Sequence, residues 1–358
     1  MTKSTNPWSE VYKIAAGKKK RSAVMTTLKK EDGTLTENLE ETMEVLINHF
    51  APSDNVQDDN IIHKRIRELT EEQIHTHDDI DFTSNEILMA IEDMDSTKAP
   101  GEDGVTSDIL LRVFNVLPRL LTALYNECLR SGTFPKQWKR ARILPIVKPG
   151  KEDSNETSKY RPISLLSTCG KLLEKLLIKR IMNHMYYNDL MSNNQYGFTP
   201  QTSTVDAAMA LSKFIQEHLA QKRSIVLVAL DVKGAFDAAW WPGILNALRL
   251  LNCPRNLYKL SKSYLDHRTA VLSTNSITIE REVTMGCPQG SCCGPGFWNI
   301  LYNSLFNIEF SASTKVIAFA DDLIIATKGT TVLEAENLSN VDLQKNIKLG
   351  QKQQNGIQ

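Results

Sequence analysis

Two adjacent aspartates, Asp321 and Asp322, interrupt an otherwise apolar segment, KVIAFADDLIIAT at residues 315–327. The apolar residues on either side favour two short β-strands, because branched and aromatic side chains suit covered sheet positions. Two carboxylates side by side in a partly buried position are costly unless a cation neutralises them. The segment therefore predicts a β-hairpin whose tip either is simply acidic or binds a divalent metal.

The chain contains two further Asp-Asp pairs, Asp58-Asp59 and Asp78-Asp79, in a different setting. Both lie within residues 31–103, which hold 21 acidic and 4 basic residues. In so polar a block we interpret these carboxylates as solvated surface. The pair in the apolar segment is therefore the candidate metal site.

A further aspartate, Asp231, lies near the end of IVLVALDV, residues 225–232. An uninterrupted apolar run is typical of a strand covered on both faces, and ligand groups gather at the ends of such strands. If the two strands are neighbours, Asp231 lies beside Asp321, and the carboxylate oxygens suit Mg²⁺. Two such ions about 3.5 to 4 Å apart clamp the attacking and leaving oxygens of a phosphoryl displacement. The alternative role for Asp231 is a turn residue at the end of a strand.

Composition excludes several other classes of protein. The 358 residues are 41% hydrophobic and 23% charged, as in a globular chain with two or three subdomains. No apolar run approaches the ~20 residues of a membrane-spanning helix, and residues 1–10 lack the pattern of a signal peptide. We therefore expect an intracellular protein that is not secreted. Six cysteines without a CxxC pair predict free thiols, and seven histidines without HExxH spacing argue against a zinc hydrolase.

Basic residues concentrate between residues 131 and 180, where 12 Lys and Arg stand against 4 acidic residues. Such a density is compatible with a polyanionic partner, either a nucleic acid or a nucleoside triphosphate. It is equally compatible with a solvated basic surface.

The order of the predicted elements favours an α+β fold. Capping boxes at Thr34 and Thr83 predict helices in the first hundred residues, and a single long helix is predicted over residues 107–130. From residue 225 the pattern is strand, helices, hairpin, helix and hairpin, with a last helix over residues 331–350. This order is typical of a split βαβ sheet with helices on one face.

Three strings resemble the palm motifs of reverse transcriptases, in the same order along the chain: LDVKGAFD at residues 230–237, CPQGS at 287–291 and AFADD at 318–322. Strings upstream resemble the fingers and template-contacting segments of non-LTR (LINE-type) retrotransposon polymerases. They are KAPGEDGV at 98–105, FPKQW at 134–138 with KPG at 148–150, YRPISLL at 160–166 and QYGF at 195–198. The string WWP at 240–242 and the sequence of residues 286–299 are similar to those of the insect rDNA-type branch of these polymerases.

The resemblance covers residues 95–345 and implies a right-hand polymerase with a split βαβ palm sheet. A helical lead-in would span residues 1–95, the fingers with the start of the palm 96–224 and the palm 225–350, before a disordered tail, 351–358. The family's endonuclease and thumb would be missing. Because phosphoryl transfer depends on positioning, we expect such a fingers–palm fragment to give little or no primer extension.

The resemblance also implies an RNA-directed DNA polymerase, with an RNA template, a DNA primer and dNTPs as its partners. It would act as a ribonucleoprotein in the nucleus, the cytoplasm or both, and it would not bind a membrane. The sequence does not identify protein partners. Asp231 and Asp321 would hold two Mg²⁺ ions, for which Mn²⁺ would substitute. Asp322 would be the companion carboxylate, so these three aspartates are the implied catalytic residues.

The resemblance assigns nucleotide-binding residues as well. Phe236 would lie under the incoming sugar and exclude a 2′-hydroxyl by its bulk, and core packing is the alternative role for its ring. Gln289 and Gly290 would shape the nucleotide pocket. Lys148 and Arg161 would grip the triphosphate, Arg161 through its bidentate fork and Lys148 as a point charge.

Template contacts are implied for Lys98, Pro100 and Gly101. The sequence departs from the family after Phe198, where Thr199 stands in the region that usually carries a basic residue. Two other functions stay open from the sequence. One is a non-catalytic nucleic-acid-binding remnant of such a polymerase. The other, with less support, is a two-carboxylate glycosidase, which would have no need of the basic stretch.

Overall fold

The computed structural model describes residues 27–151, 153–232 and 234–352, with side chains as far as residue 345. Within those residues there are eleven α-helices and seven β-strands. The helices are α1 Leu39–Phe50, α2 Ile61–Glu71, α3 Ser84–Glu92, α4 Ser107–Val116, α5 Pro118–Ser131, α6 Thr168–Tyr187, α7 Thr204–Ala220, α8 Trp241–Leu250, α9 Arg255–Leu265, α10 Gly294–Tyr302 and α11 Val332–Lys352. The strands are β1 Arg140–Val147, β2 Tyr160–Leu166, β3 Ser224–Leu230, β4 Arg268–Ser273, β5 Thr278–Val283, β6 Thr314–Phe319 and β7 Asp322–Gly329.

The strands form two sheets. In the four-stranded sheet the order is β2-β1-β4-β5, where β1 pairs antiparallel with β2 and parallel with β4, and β4 forms a hairpin with β5. In the three-stranded sheet the order is β3-β7-β6, and both pairings are antiparallel. The predicted mixture of helices and sheets is confirmed, as are the strand predicted over residues 225–232 and the hairpin predicted over 315–327. The expectation that the first of these strands is covered on both faces is wrong, because β3 is an edge strand of its sheet and none of its residues is buried.

Two apolar cores hold these layers together. The larger core encloses α10, whose sequence GPGFWNILY is apolar on every side, as a helix surrounded by other elements requires. Helix α6 contributes Leu172, Leu173 and Leu177 to the same core, all fully buried. The smaller core lies between α1 and the four-stranded sheet, where Leu46 of α1 and Ile143 of β1 are buried. Each sheet is therefore held by its own set of helices.

The single helix predicted over residues 107–130 is wrong. The structure has two helices there, because α4 ends at Val116 and α5 starts at Pro118. Proline has no N–H to continue the helix and its ring clashes with the preceding turn, whereas its fixed φ suits a first helical residue.

One of the predicted capping boxes is realised and another is not. Thr83 caps α3 with the reciprocal bonds to Glu86 that the box predicts. At the first helix the cap is Asn38, whose side chain accepts the Glu41 N–H, while the Thr34 hydroxyl donates to Asp32. Asn is an equally good cap, and it lies one turn closer to the apolar face of α1.

The interpretation of Asp59 as solvated surface is also wrong. Its side chain is fully buried and accepts from Arg67 Nε at 2.6 Å, and Arg67 also bonds Asp54 at 2.7 Å. The guanidinium lies 5.3 Å from the ring of Trp240, so it joins the N-terminal block to the rest of the molecule. Its neighbour Asp58 is exposed, as predicted.

Three further expectations concern the chain as a whole. All six cysteines are free thiols, and four of them are buried, which confirms the prediction from their spacing. Helix α11 continues to Lys352, two residues into the tail predicted to be disordered, and the rest of that tail lies outside the described residues. Among the helices described here, none is long and apolar enough to cross a membrane.

We predict that the two leucines Leu177 and Leu219 differ strongly in their contribution to stability. Leu177 of α6 is fully buried and Leu219 of α7 is 56% exposed. Leu177→Ala should lower the free energy of unfolding by about 2–5 kcal/mol, through lost burial and a residual cavity. The matched change Leu219→Ala should alter it by less than about 0.5 kcal/mol. Urea denaturation followed by circular dichroism measures both, and equal effects would contradict the central position of α6.

Candidate active site

Strand register brings the three candidate aspartates to one edge of the three-stranded sheet. Strands β3 and β7 pair Leu230 with Leu323, so the next position, Asp231, lies across from Asp322. Strands β6 and β7 pair Phe319 with Asp322, which leaves Asp321 in the two-residue turn between them. Carboxylates from two strings that are ninety residues apart in sequence therefore meet at the same end of the sheet.

The electrostatics of the site agree with this placement. Burial raises the pKa of Asp321, and the negative charges of Asp322 and Asp231 raise it further. The nearby hydroxyl of Tyr302 is buried and has no hydrogen-bond partner among the described residues, and burial together with all three carboxylates raises its pKa. The three carboxylates are therefore close enough to influence one another and the Tyr302 hydroxyl.

The donor set fits a hard divalent cation, although the side chains do not form a closed cage. Asp231 and Asp322 are exposed and Asp321 is half-buried, so their oxygens are open to a ligand. Throughout the described ranges, no three His, Cys, Asp or Glu side chains lie close enough together to hold a metal ion. The three carboxylates therefore share one edge of the sheet without forming a ready-made metal site.

Phe236 contacts Trp298, whose indole N–H donates to Ala320 next to Asp321, and a backbone bond joins the strings that contain Phe236 and Gln289. The Cys287 N–H donates to the Phe236 carbonyl at 2.7 Å. The Phe236 ring is half-buried, with its centroid 5.8 Å from that of Phe198 and 5.9 Å from that of Trp298. These aromatic contacts show that the ring contributes to packing, while its uncovered part faces solvent.

The loop of Gln289 and Gly290 is fixed against β2. The Ser164 N–H donates to the Gln289 carbonyl at 2.8 Å. Gly290 has φ of 118°, and a Cβ there would lie 2.8 Å from the Ser164 carbonyl oxygen, so this position requires glycine. The Gln289 side-chain amide lies 3.5 Å from the Asp237 carboxylate. Burial raises the pKa of Asp237, while the hydrogen bond from Gln289 and the charge of Lys148 lower it.

Sequence reasoning missed Glu174, which holds the other side of this loop. Its carboxylate is 1% exposed, although it lies in the apolar helix α6. It accepts from the Ser291 hydroxyl at 2.7 Å and from the Cys292 N–H at 2.7 Å, just before α10 begins. A lone acid in the string KLLEKLLIK was the available signal, because a buried carboxylate must have partners.

Lys148 and Arg161 lie at the end of the β1–β2 hairpin where the connecting loop joins the two strands. Arg161 pairs with Ile146 across the hairpin and is exposed, and the Lys148 N–H donates to the Lys159 carbonyl at 2.7 Å. Other members of the basic stretch are ion-paired: Arg140 with Glu280, Lys175 with Asp93, and Arg180 with Asp79 and Glu86. Part of the stretch is therefore structural rather than free to bind a polyanion.

Lys98, Pro100 and Gly101 lie in the loop before α4, which closes one side of an open groove. The groove has a volume of about 390 Å³, and its lining includes Lys98, Lys171 and Gly290. Gly101 packs directly on the start of α6, because a Cβ there would lie 2.7 Å from the Ser167 nitrogen. The structure thus brings the predicted template loop and the Gly290 loop to the same groove.

A further residue missed as part of the site is Gln195, from the QYGF string assigned to the fingers. Its side chain is buried against Ala320, the other residue of the turn that carries Asp321. The available sequence signal was a polar residue two positions before Gly197 in that string.

The chain matches the family described as reverse transcriptase (RNA-dependent DNA polymerase) over residues 146–348. It is 28% identical over 339 residues to the retrovirus-related Pol polyprotein from type-1 retrotransposable element R1 of Bradysia coprophila, covering 94% of this chain and 32% of that protein. It is 33% identical over 264 residues to the RNA-directed DNA polymerase from mobile element jockey of Drosophila melanogaster, covering 71% of this chain and 28% of that protein. The chain spans roughly a third of the length of these curated relatives.

The matched region contains β3, β6 and β7 with the carboxylates at their shared edge, as well as the Gly290 loop. The resemblance seen in the sequence is confirmed, since the relatives come from non-LTR retrotransposons of insects. This chain belongs to the reverse transcriptase (RNA-dependent DNA polymerase) family, as a reverse transcriptase domain of the non-LTR retrotransposon type.

Proposed function

We propose that this chain carries the active centre of an RNA-directed DNA polymerase that adds dNTPs to a DNA primer on an RNA template by two-metal nucleotidyl transfer. The observation that carries the proposal is the β3–β7 register, which sets Asp231 across from Asp322 beside the turn of Asp321. In a right-hand fold, residues 96–224 would form the fingers with the start of the palm, and residues 225–350 the palm.

Asp231, Asp321 and Asp322 are the residues that would hold Mg²⁺, or Mn²⁺ in its place. Oxygen donors suit such cations. Burial raises the pKa of Asp321, and the charges of Asp322 and Asp231 raise it further, so a cation bound at this edge would stabilise the ionised carboxylate. When bound, the ions would stabilise the charge on the attacking and leaving oxygens of the transferred phosphoryl group.

The residues around this edge would position the incoming nucleotide. Phe236, next to the Cys287–Gly290 loop, would meet the sugar, and its half-buried ring is held by two aromatic neighbours. Gln289 and Gly290 would shape the pocket, with the Gln289 backbone held by β2. Lys148 and Arg161 would bind the triphosphate from the β1–β2 hairpin.

The groove beside the Gly290 loop supports a path for the RNA template. Exposed Lys98 and its neighbour Ala99 line the groove, and Gly101 of the same loop packs on the start of α6. Lysines that line such a groove attract phosphates without reading the base sequence. The template contact would therefore depend on salt rather than on sequence.

We predict that Asp231→Asn and Asp321→Asn each abolish metal-dependent nucleotide addition. Each change removes a charge from the cation site while keeping the shape of the side chain, so the rate should fall by about three orders of magnitude or more. Single-turnover addition of one dNTP, with protein in excess over an RNA–DNA duplex and Mn²⁺ present, measures the rate even when the duplex is held weakly.

The matched control is Asp58→Asn, at an exposed aspartate of an Asp-Asp pair in the N-terminal block. It should leave the rate unchanged, and urea denaturation should show that all three variants fold. Near wild-type addition by Asp231→Asn, or single-turnover addition that does not depend on the metal, would refute the proposed function.

We predict that Phe236→Ala lowers the preference for dNTPs over rNTPs by about tenfold or more, because the bulk that excludes a 2′-hydroxyl is lost. Competing dNTP and rNTP in the same single-turnover assay give the ratio directly. Phe214→Ala, at an aromatic residue of α7 whose ring contacts His218, is the control. An unchanged ratio for Phe236→Ala would assign the ring to core packing alone.

A further inference from the structure

The turn that carries Asp321 has a backbone conformation that needs outside support. Ala320 has φ of 58°, in the left-handed region that a residue with a Cβ adopts unfavourably. Only Ala320 and Asp321 lie between β6 and β7, so the direction of the Asp321 side chain follows from the orientation of the Ala320 peptide groups. Whatever holds Ala320 therefore also orients Asp321.

Gln195 holds Ala320 at both of its backbone polar groups. Its Oε1 accepts the Ala320 N–H at 3.1 Å, and its Nε2 donates to the Ala320 carbonyl at 3.1 Å. The same Oε1 accepts the Gly197 N–H at 2.9 Å. The Gln195 residue is 2% exposed, so water does not compete for these bonds, and losing them would leave buried groups unpaired.

The segment around Gln195 is itself fixed to the sheet. The Tyr196 N–H donates to the Ala318 carbonyl at 2.8 Å, so the segment runs alongside β6. Asn299 of α10 donates to the Gly197 carbonyl at 2.9 Å. A Cβ at Gly197 would lie 2.0 Å from the Ala320 nitrogen, which means that the segment lies directly against the turn. The backbone that carries Gln195 is therefore itself held in place by hydrogen bonds and close packing.

We propose that Gln195 is a positioning residue, which fixes the Ala320 peptide groups and thereby the direction in which Asp321 presents its carboxylate to the cation. The inference rests on the proposed function for the identity of that ligand. Gln195 bonds the backbone of the turn and not the carboxylates, so it acts through Asp321. Trp298 supplies a second donor to the Ala320 carbonyl at 3.2 Å, but the Ala320 N–H is bonded by Gln195.

The test is Gln195→Met in the full chain. Methionine has nearly the same volume as glutamine, but it removes both side-chain bonds to Ala320, together with the bond to the Gly197 N–H. Hydrogen–deuterium exchange at residues 319–322 should accelerate about tenfold, the effect of losing one buried hydrogen bond. Mn²⁺ affinity, measured by electron paramagnetic resonance, should fall about fivefold or more because the Asp321 ligand is less well oriented. Unchanged exchange, or unchanged Mn²⁺ affinity, would overturn the proposal.

The control is Gln216→Met, at an exposed glutamine of α7, which should alter neither quantity. If urea denaturation shows that Gln195→Met is unfolded, Gln195→Asn replaces it, because the shorter amide keeps the chemistry but cannot span to both groups of Ala320. Failure of the proposed function gives a separate result. A wild-type chain that binds Mn²⁺ no better than Asp321→Asn would refute the cation site, while amide exchange would still show whether Gln195 holds the turn.

Discussion

The antiparallel pairing of β3 with β7 is the interaction on which the rest of the site depends. On one face of β7, Leu323, Ile325 and Thr327 are buried, whereas on the other face Ala326 is buried, Lys328 is half-buried and Asp322 is exposed. A slip of one residue would turn the charged side chains into the core and bring the apolar ones out. The apolar face of β7 therefore fixes where Asp322 lies, and the pairing then fixes the position of Asp231 across from it.

Buried polar side chains fix the positions of the loops around this sheet. Glu174 bonds the segment between Gly290 and α10, and Gln195 bonds the turn of Asp321. Each is buried among apolar residues, where an unpaired carboxylate or amide is costly, so its partners are held as firmly as the core. The loops that bear the candidate ligands and the nucleotide pocket are thus fixed by hydrogen bonds to buried side chains.

The sequence was informative where a residue type conflicts with its surroundings. Asp321 and Asp322 stand within an apolar hairpin, and both strands of that hairpin were predicted from the apolar residues alone. Asp59 was misread because its block is acidic on average, whereas its burial depends on Arg67, which is eight residues away in sequence. The roles of Glu174 and Gln195 could not be predicted, because their partners lie more than one hundred residues further along the chain.

The central claim is that Asp231 and Asp321 share a cation site when substrate is bound. The most direct measurement is anomalous diffraction from crystals of the chain with an RNA–DNA duplex, a dNTP and Mn²⁺. We expect a Mn²⁺ peak in contact with carboxylate oxygens of both Asp231 and Asp321, next to the phosphates of the nucleotide. Mn²⁺ bound elsewhere, or carboxylates of Asp231 and Asp321 more than about 8 Å apart with nucleotide in place, would contradict the account, because one ion could not then bridge them.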